Sequence, residues 1–406
     1  MTRWFAAVTA LISAVAFAAA TSSGVSARSK VGAECSDSQF SNGRDPANPL
    51  LLPSPPGPNP INGASFFVDG PKHGLAAGEI AKLLGMNAKS FPESESWADF
   101  DGRIVPRALK SHPNEAGAVH LLEKIGRQPH PIRFSEFSAG GSPAAVAGQV
   151  HKIFCYNLQA DPGTVPVMQT FFIMPHGKYC ASKGEIAANE SLFKRQVAAT
   201  AQATGKRPSV WLLELDAVAT SSCLGKGALP LWENELSYEI AQFAALPHTV
   251  VYVEGGYADA NKPGYTARVL NAIGVNRIRG FYTNDTHYDW TSNEVKWGQK
   301  VSALTNGADF IVNTAQNGRG PKYNPHPGRQ GVESLCNPPG RGLGPQITTQ
   351  TGFRYADAFM WTYEPGKSSG SCHGGPPAGT FWLARALGLA KRANGQLGPG
   401  YPSRPY

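Results

Sequence analysis

The sequence predicts an α/β fold: a parallel barrel of about seven strand–helix units, closed or nearly so, behind an irregular N-terminal arm. Three observations carry this. Short β-like runs recur at 65–68, 165–174, 209–216, 249–254, 278–284, 309–314 and 357–363. Several are continuously apolar, as strands buried on both faces are. Helix-like stretches lie between them, at 185–203, 232–245, 265–272, 292–305 and 378–393 among others. Strand then helix, repeated, implies parallel strands joined by right-handed crossovers. An open doubly wound sheet is the alternative.

The chain begins with features of an export signal. Arg3 gives a positive start, an apolar Ala-rich run follows at 4–20, and small residues at 25–27 or 18–20 offer cleavage sites. Residues 1–27 are therefore expected to be a signal peptide, leaving a secreted protein with no membrane association; the competing reading is a membrane anchor, for which the run is marginal in length. Residues 28–64 are rich in Ser, Pro, Gly and Asn and read as a linker or wrapping arm. Residues 65–406 read as one barrel domain, expected to act as a monomer.

Composition narrows the class further. Of 406 residues, 41% are apolar and 16% charged, which suits a folded protein with a sizeable core. The net charge of +8 comes from scattered bases, with no basic block or aromatic basic stripe, so nucleic acid is not an expected partner. Cysteines at 35, 155, 180, 223, 336 and 372 are even in number, which in an exported chain reads as disulfides. No Cys or His cluster has metal-ligand spacing, and no metal or cofactor is implied.

Polar residues close the β-like runs: Asp216, Glu254, Asn284, Asn313 and Tyr363. Parallel α/β architectures carry their active sites at these C-terminal strand ends. The run WLLELD ends at Asp216 with Glu214 two positions earlier. Period-two alternation puts both carboxylates on one face, where close acids split their proton affinities. A carboxyl that keeps its proton can donate to a leaving group, as glycoside hydrolysis requires. The alternative is a structural acid capping the next helix. Sugar faces pack on aromatic rings, which makes Trp232, Tyr257, Trp290, Trp297 and Trp361 candidates, with core packing the competing role for most. Gly366-Lys367-Ser368 lacks the earlier glycine of a phosphate loop, because Trp361 holds that place. Histidines 176, 287 and 373 read as surface or rim residues, and Asn189 and Asn284 open glycosylation sequons.

Two longer motifs sharpen this reading. They are CNPPGRGLG from Cys336 and DAFMWTYEPG from Asp357. With the patterns at 171–180, 211–216 and 309–320, they resemble glycoside hydrolase family 6, the cellulase family of endoglucanases and cellobiohydrolases. The resemblance covers roughly 165–393 and implies a distorted barrel of about seven strands. It implies hydrolysis of β-1,4-glucan with inversion, a polysaccharide partner, no cofactor, and Asp216 as general acid. It also implies disulfides Cys180–Cys223 and Cys336–Cys372, leaving Cys35 and Cys155 to pair with each other.

The departures from that family are equally specific. Tyr179 stands where an assisting Asp is usual, and Ser369 where the Asp often considered the base is usual. Tyr363 and Lys367 replace a Lys and a Glu of the late strand motif, and Glu254 and Tyr257 replace an Asp and a His. Serine is no general base without an activating neighbour, and a neutral tyrosine cannot replace a carboxylate's charge. Candidates to assist or to position water are therefore Glu214, Glu254, Asp285, Glu364, Tyr179 and Ser369. Candidate sugar contacts are Tyr257, Asn284, Asn317, Trp361, Tyr363 and Lys367. A hydrolase of another polysaccharide, or a glycan-binding protein without catalysis, is the alternative outcome.

Overall fold

Among the described residues seven short strands, six of them on the expected apolar runs, form one all-parallel sheet in chain order. They are β1 (Ile132–Ser135), β2 (Val167–Phe171), β3 (Ser209–Leu213), β4 (Thr249–Glu254), β5 (Gly280–Thr283), β6 (Asp309–Asn313) and β7 (Ala356–Met360). This computed structural model describes residues 57–135, 141–322 and 335–399, the His176 side chain excepted. The expected signal peptide, most of the 28–64 segment and Cys35 lie outside the described residues. All described residues belong to one unit, Gly43–Tyr406.

The principal helices are α1 (Leu75–Leu83), α2 (Ala116–Gly126), α3 (Pro143–Ala160), α4 (Lys183–Thr204), α5 (Leu229–Ala244), α6 (Pro263–Ile273), α7 (Thr291–Leu304) and α8 (Leu383–Lys391). Helices α3 to α7 each follow a strand, β1 to β5 in turn, giving the crossover pattern of an α/β barrel. Local signals fix their ends. Ser182 and Glu185 form a reciprocal capping box that starts α4. Gly274, at φ +85°, ends α6 in the left-handed conformation that glycine adopts without penalty.

Alternate residues of the strands face a common apolar interior. Val210 and Leu212 of β3, Val250 and Tyr252 of β4, Tyr282, Ile311 and Ala358 form one buried cluster with Phe66 and Val167. The intervening Trp211 points the other way and packs on Phe243 of α5, ring centroids 5.0 Å apart.

One expected strand is absent. Residues 65–68 make only an isolated bridge, Phe66 to Val165. Their apolar character serves packing: Phe66 joins the interior cluster and Phe67 meets Tyr156 edge-on at 5.0 Å. The first strand is instead Ile132–Ser135, whose four residues include Arg133 and Ser135 and so show no apolar run.

The sheet ends at β1 on one side and β7 on the other. That flank is filled by α1, α2 and α8, which share an apolar cluster with Ala315, Leu343 and Trp361. Polar contacts tie it together. His130, just before β1, meets Glu364, just after β7, at 3.1 Å, and the Leu75 amide at the start of α1 donates to the same carboxylate at 3.2 Å. At the opposite end of the strands, Asn59 donates to the Asp357 carbonyl at 2.7 Å, and Arg279 pairs with the Asp357 carboxylate at 2.7 and 2.9 Å.

Candidate active site

The chain leaves β3 through two left-handed residues, Glu214 at φ +54° and Asp216 at φ +56°. Each such non-glycine conformation costs on the order of 1–3 kcal/mol and persists only where surrounding contacts hold it. The turn also breaks the period-two alternation, so the two carboxylates point apart. Glu214 is fully buried and accepts hydrogen bonds from the Phe172 amide at 2.8 Å and the Ile173 amide at 3.0 Å. Burial pushes its pKa up to about 7, and Glu239 of α5 lies beside it. Glu214 therefore clamps the exits of β2 and β3 together, and the expected shared face with Asp216 is corrected.

Asp216 turns toward the strand exits of β4 and β5. Three hydroxyls donate to it. Tyr257 and Thr286 reach Oδ1, the latter at 3.0 Å, and Tyr179 reaches Oδ2 at 3.2 Å. Thr286 and Tyr257 also contact each other at 3.0 Å. The Tyr257 ring stacks on His287 at 3.8 Å, and His287 Nδ1 meets Asp259 at 2.7 Å, which fixes the tyrosine's aim. Tyr179 behaves differently: it is 47% exposed although its hydroxyl touches Asp216. Its half-exposed ring lies beside a carboxyl group.

The other carboxylates proposed to hold water are engaged elsewhere. Glu254 accepts from the amides of Val218 at 2.7 Å, Ala219 at 3.0 Å and Gly256, and burial pushes its pKa up to about 8. It braces the loop that follows Asp216. Glu364 joins His130, Leu75 and Lys367 at the β1–β7 flank. Asp285 is 1% exposed and accepts from Thr362 on Oδ1 and from Gln169 at 3.1 Å on Oδ2, with Arg133 at 3.8 Å. Burial lifts its pKa to about 6 against the opposing pull of Arg133.

The expected sugar contacts divide in the same way. Trp361 is fully buried, donates to the Pro345 carbonyl at 3.1 Å, and belongs to the flank cluster, so it is core and not a sugar platform. Trp232 and Trp297 are likewise buried with their indole N–H groups bonded to the carbonyls of Ala217 and Asn261. Asn284 and Asn317 are buried structural amides: both donate to the Asp289 carbonyl, at 3.1 and 2.9 Å. The sequon at Asn284 is buried with them. Tyr363 is half-buried, donates to the Lys367 carbonyl at 3.0 Å, and lies under the Arg133 guanidinium at 5.9 Å. Lys367 pairs with Glu364 at 3.1 Å. Ser369 is exposed beside the hydroxyls of Tyr288 and Tyr363.

Both expected disulfides form. Cys180–Cys223 ties the loop carrying Tyr179 to the loop after Asp216. Cys336–Cys372 ties the CNPPGRGLG segment to the loop after β7. There Asn337, at φ +46°, donates to Ser368 Oγ at 3.0 Å and accepts from the Ser369 amide at 2.8 Å, so the motif shapes the loop that presents Ser369. None of the described cysteines is free, and the suggested pairing of Cys155 with Cys35 extends outside the described residues. Among the described residues no group of three or more His, Cys, Asp and Glu gathers to hold a metal.

Thr286, Arg133, Gln169 and Thr362 were not singled out in advance. Thr286 follows Asn284 and Asp285 at a strand exit, which was a usable signal. Arg133 and Gln169 lie inside strands, where nothing in the sequence distinguishes them.

The model of glycosyl hydrolases family 6 matches residues 176–393. The chain belongs to that family. The match holds Asp216, both disulfides and β3 to β7. Endoglucanase A of Cellulomonas fimi is 30% identical over 275 residues, which cover 67% of this chain and 56% of that protein. This family member thus spans little more than half of that relative's length. Endoglucanase 1 of Streptomyces sp. (strain KSM-9) is 28% identical over 292 residues, 70% of this chain and 74% of that one. The endoglucanase Cel6 from Mycobacterium tuberculosis, solved with methyl-cellobiosyl-4-deoxy-4-thio-β-D-cellobioside, superposes with a TM-score of 0.65. It is 27% identical, and the alignment covers 82% of this chain and 99% of that one.

Proposed function

We propose that this chain is a secreted, monomeric hydrolase of β-1,4-glucan, with 65–406 as its catalytic domain and Asp216 as the general acid of an inverting reaction. One observation carries the reading. Within the family-matched region, Asp216 stands at the C-terminal end of a central strand, held by three hydroxyls and flanked by the exposed ring of Tyr179. Its relatives are named for glucan hydrolysis, and a neighbouring structure holds a cello-oligosaccharide analogue.

In this reading a glucan chain lies across the strand exits with a sugar ring against Tyr179. Asp216 gives its proton to the departing glycosidic oxygen while water attacks the opposite face of the sugar. Inversion places the water-holding group roughly 6.5–9.5 Å from the acid. Ser369, exposed on the loop after β7 beside Tyr288 and Tyr363, is the residue suited to relay the proton that the attacking water loses to bulk solvent.

One observation favours a second reading, glycan binding without turnover. Glu214, Glu254, Asp285 and Glu364 all have their oxygens occupied by structural partners. Release of reducing ends from carboxymethyl cellulose, compared between wild type and Asp216→Asn, decides between them. Release that the variant abolishes supports hydrolysis. Binding without release, unchanged in the variant, supports the second reading.

A further inference from the structure

Asp285 draws its partners from two strands and from the segment after a third. Arg133 belongs to β1, Gln169 to β2, and Thr362 follows β7. The network continues: Arg133 Nε donates to Gln169 Oε1 at 2.7 Å, Gln169 Nε2 donates to the Tyr282 hydroxyl at 3.0 Å, and that hydroxyl donates to the Glu214 carbonyl at 2.5 Å. It therefore runs from the open flank of the sheet to the turn that carries Asp216. Asp285 also sits beside Thr286, whose hydroxyl bonds Asp216 at 3.0 Å. The turn between them is held by Asn313, which donates to the carbonyls of Asn284 at 2.8 Å and Asp285 at 2.9 Å. Asn284 itself is left-handed at φ +65°, so the turn needs such restraint.

We propose that Asp285 is a positioning residue for Asp216: pinned by Arg133, Gln169 and Thr362, it aims the Thr286 hydroxyl at the acid and sets a second carboxylate charge beside it. This rests on the reading of Asp216 as the acid. Among the described residues, the charged and titratable groups facing Asp216 are Tyr179, Tyr257, Glu254 and Asp285; those facing Asp285 are Arg133, Tyr282, Tyr179, Tyr257 and Asp216. Burial lifts Asp285 most, Arg133 opposes, and the Asp216 charge adds to the lift.

The test follows the Asp285 carboxyl by carbon NMR titration in wild type and Asp216→Asn. The midpoint, near 6 in wild type, is expected to fall by roughly 1 unit when its neighbour's charge is removed. An unmoved midpoint overturns the proposal. On glucan, Asp285→Asn is expected to lower kcat roughly 10-fold with KM near wild type, while Asp285→Glu restores kcat. A loss confined to KM, or a loss of kcat that Asp285→Glu does not restore, also overturns it. A wild type that cleaves no glucan refutes the proposed function, yet the titration still reads the coupling.

Discussion

Thr286 and Tyr257 converge on the same oxygen of Asp216, Oδ1, while among the described residues Tyr179 is the one that reaches Oδ2. The two oxygens are thus unequal. One is held by two inward hydroxyls from the exits of β4 and β5. The other faces a tyrosine that is itself open to solvent, and this is the side from which a sugar oxygen can approach.

Replacing Asp216 with Asn keeps size and neutralises the proton donor. Reducing-end release on carboxymethyl cellulose is expected to fall about 10²–10⁴-fold, the usual contribution of a positioned acid. Retention on insoluble cellulose, measured by depletion, is expected to stay close to wild type.

Thr286→Ala removes one hydrogen bond to a carboxylate, an interaction worth about 1.5–3 kcal/mol. A decrease in kcat of roughly 10- to 100-fold with little change in KM is expected. A change confined to KM would place Thr286 in substrate binding instead of acid positioning.

Stability is expected to decline as pH rises from about 5 to about 8. The folded-state pKa values of Glu254 and Glu214 are lifted by burial to about 8 and about 7, from an ordinary value of 4.5. Between those limits the folded protein binds more protons than the unfolded chain, so unfolding becomes easier with increasing pH. Melting temperatures across this range check the sign, and Glu254→Gln is expected to flatten the slope.

Trp361→Phe tests the correction made to the sugar contacts. Because the indole is buried and bonded to Pro345, the variant is expected to lose stability by about 1–3 kcal/mol while KM for soluble glucan stays near wild type. Chemical denaturation and steady-state kinetics on the same preparation separate the two effects.

The Cys180–Cys223 bridge closes 43 positions of chain and fastens the Tyr179 loop. Its removal by paired Ser substitutions is expected to cost about 2–4 kcal/mol. Activity is expected to fall as well, because Tyr179 loses its fixed position over Asp216.

Six of the seven strands were legible as apolar runs, since burial on both faces leaves little room for polar residues. The seventh, Ile132–Ser135, was not, because at the edge of the sheet Arg133 bonds its neighbour Gln169 on β2 and reaches Asp285 across the barrel mouth. Asp216 was legible from its place at the end of WLLELD. The opposite orientation of Glu214 was not, because alternation fails at a pair of left-handed residues and nothing local in the sequence encodes their φ angles. Trp361 was misjudged because an aromatic ring suits a core and a sugar equally well; what decides is the packing of α1, α2 and α8 around it, which is distant in sequence.

The flank between β1 and β7 sets a limit on how the protein can be shortened. A fragment beginning at residue 176, where the family match starts, would lack β1, β2 and the helices α1, α2 and α3. It would keep the acid and both bridges, yet leave the β3 margin with unpaired amides and carbonyls and strip Trp361 and α8 of their cover. Such a margin recruits other chains. The first third of the barrel, with the fewest recognisable motifs, is therefore what keeps the edge of the recognisable part paired and covered.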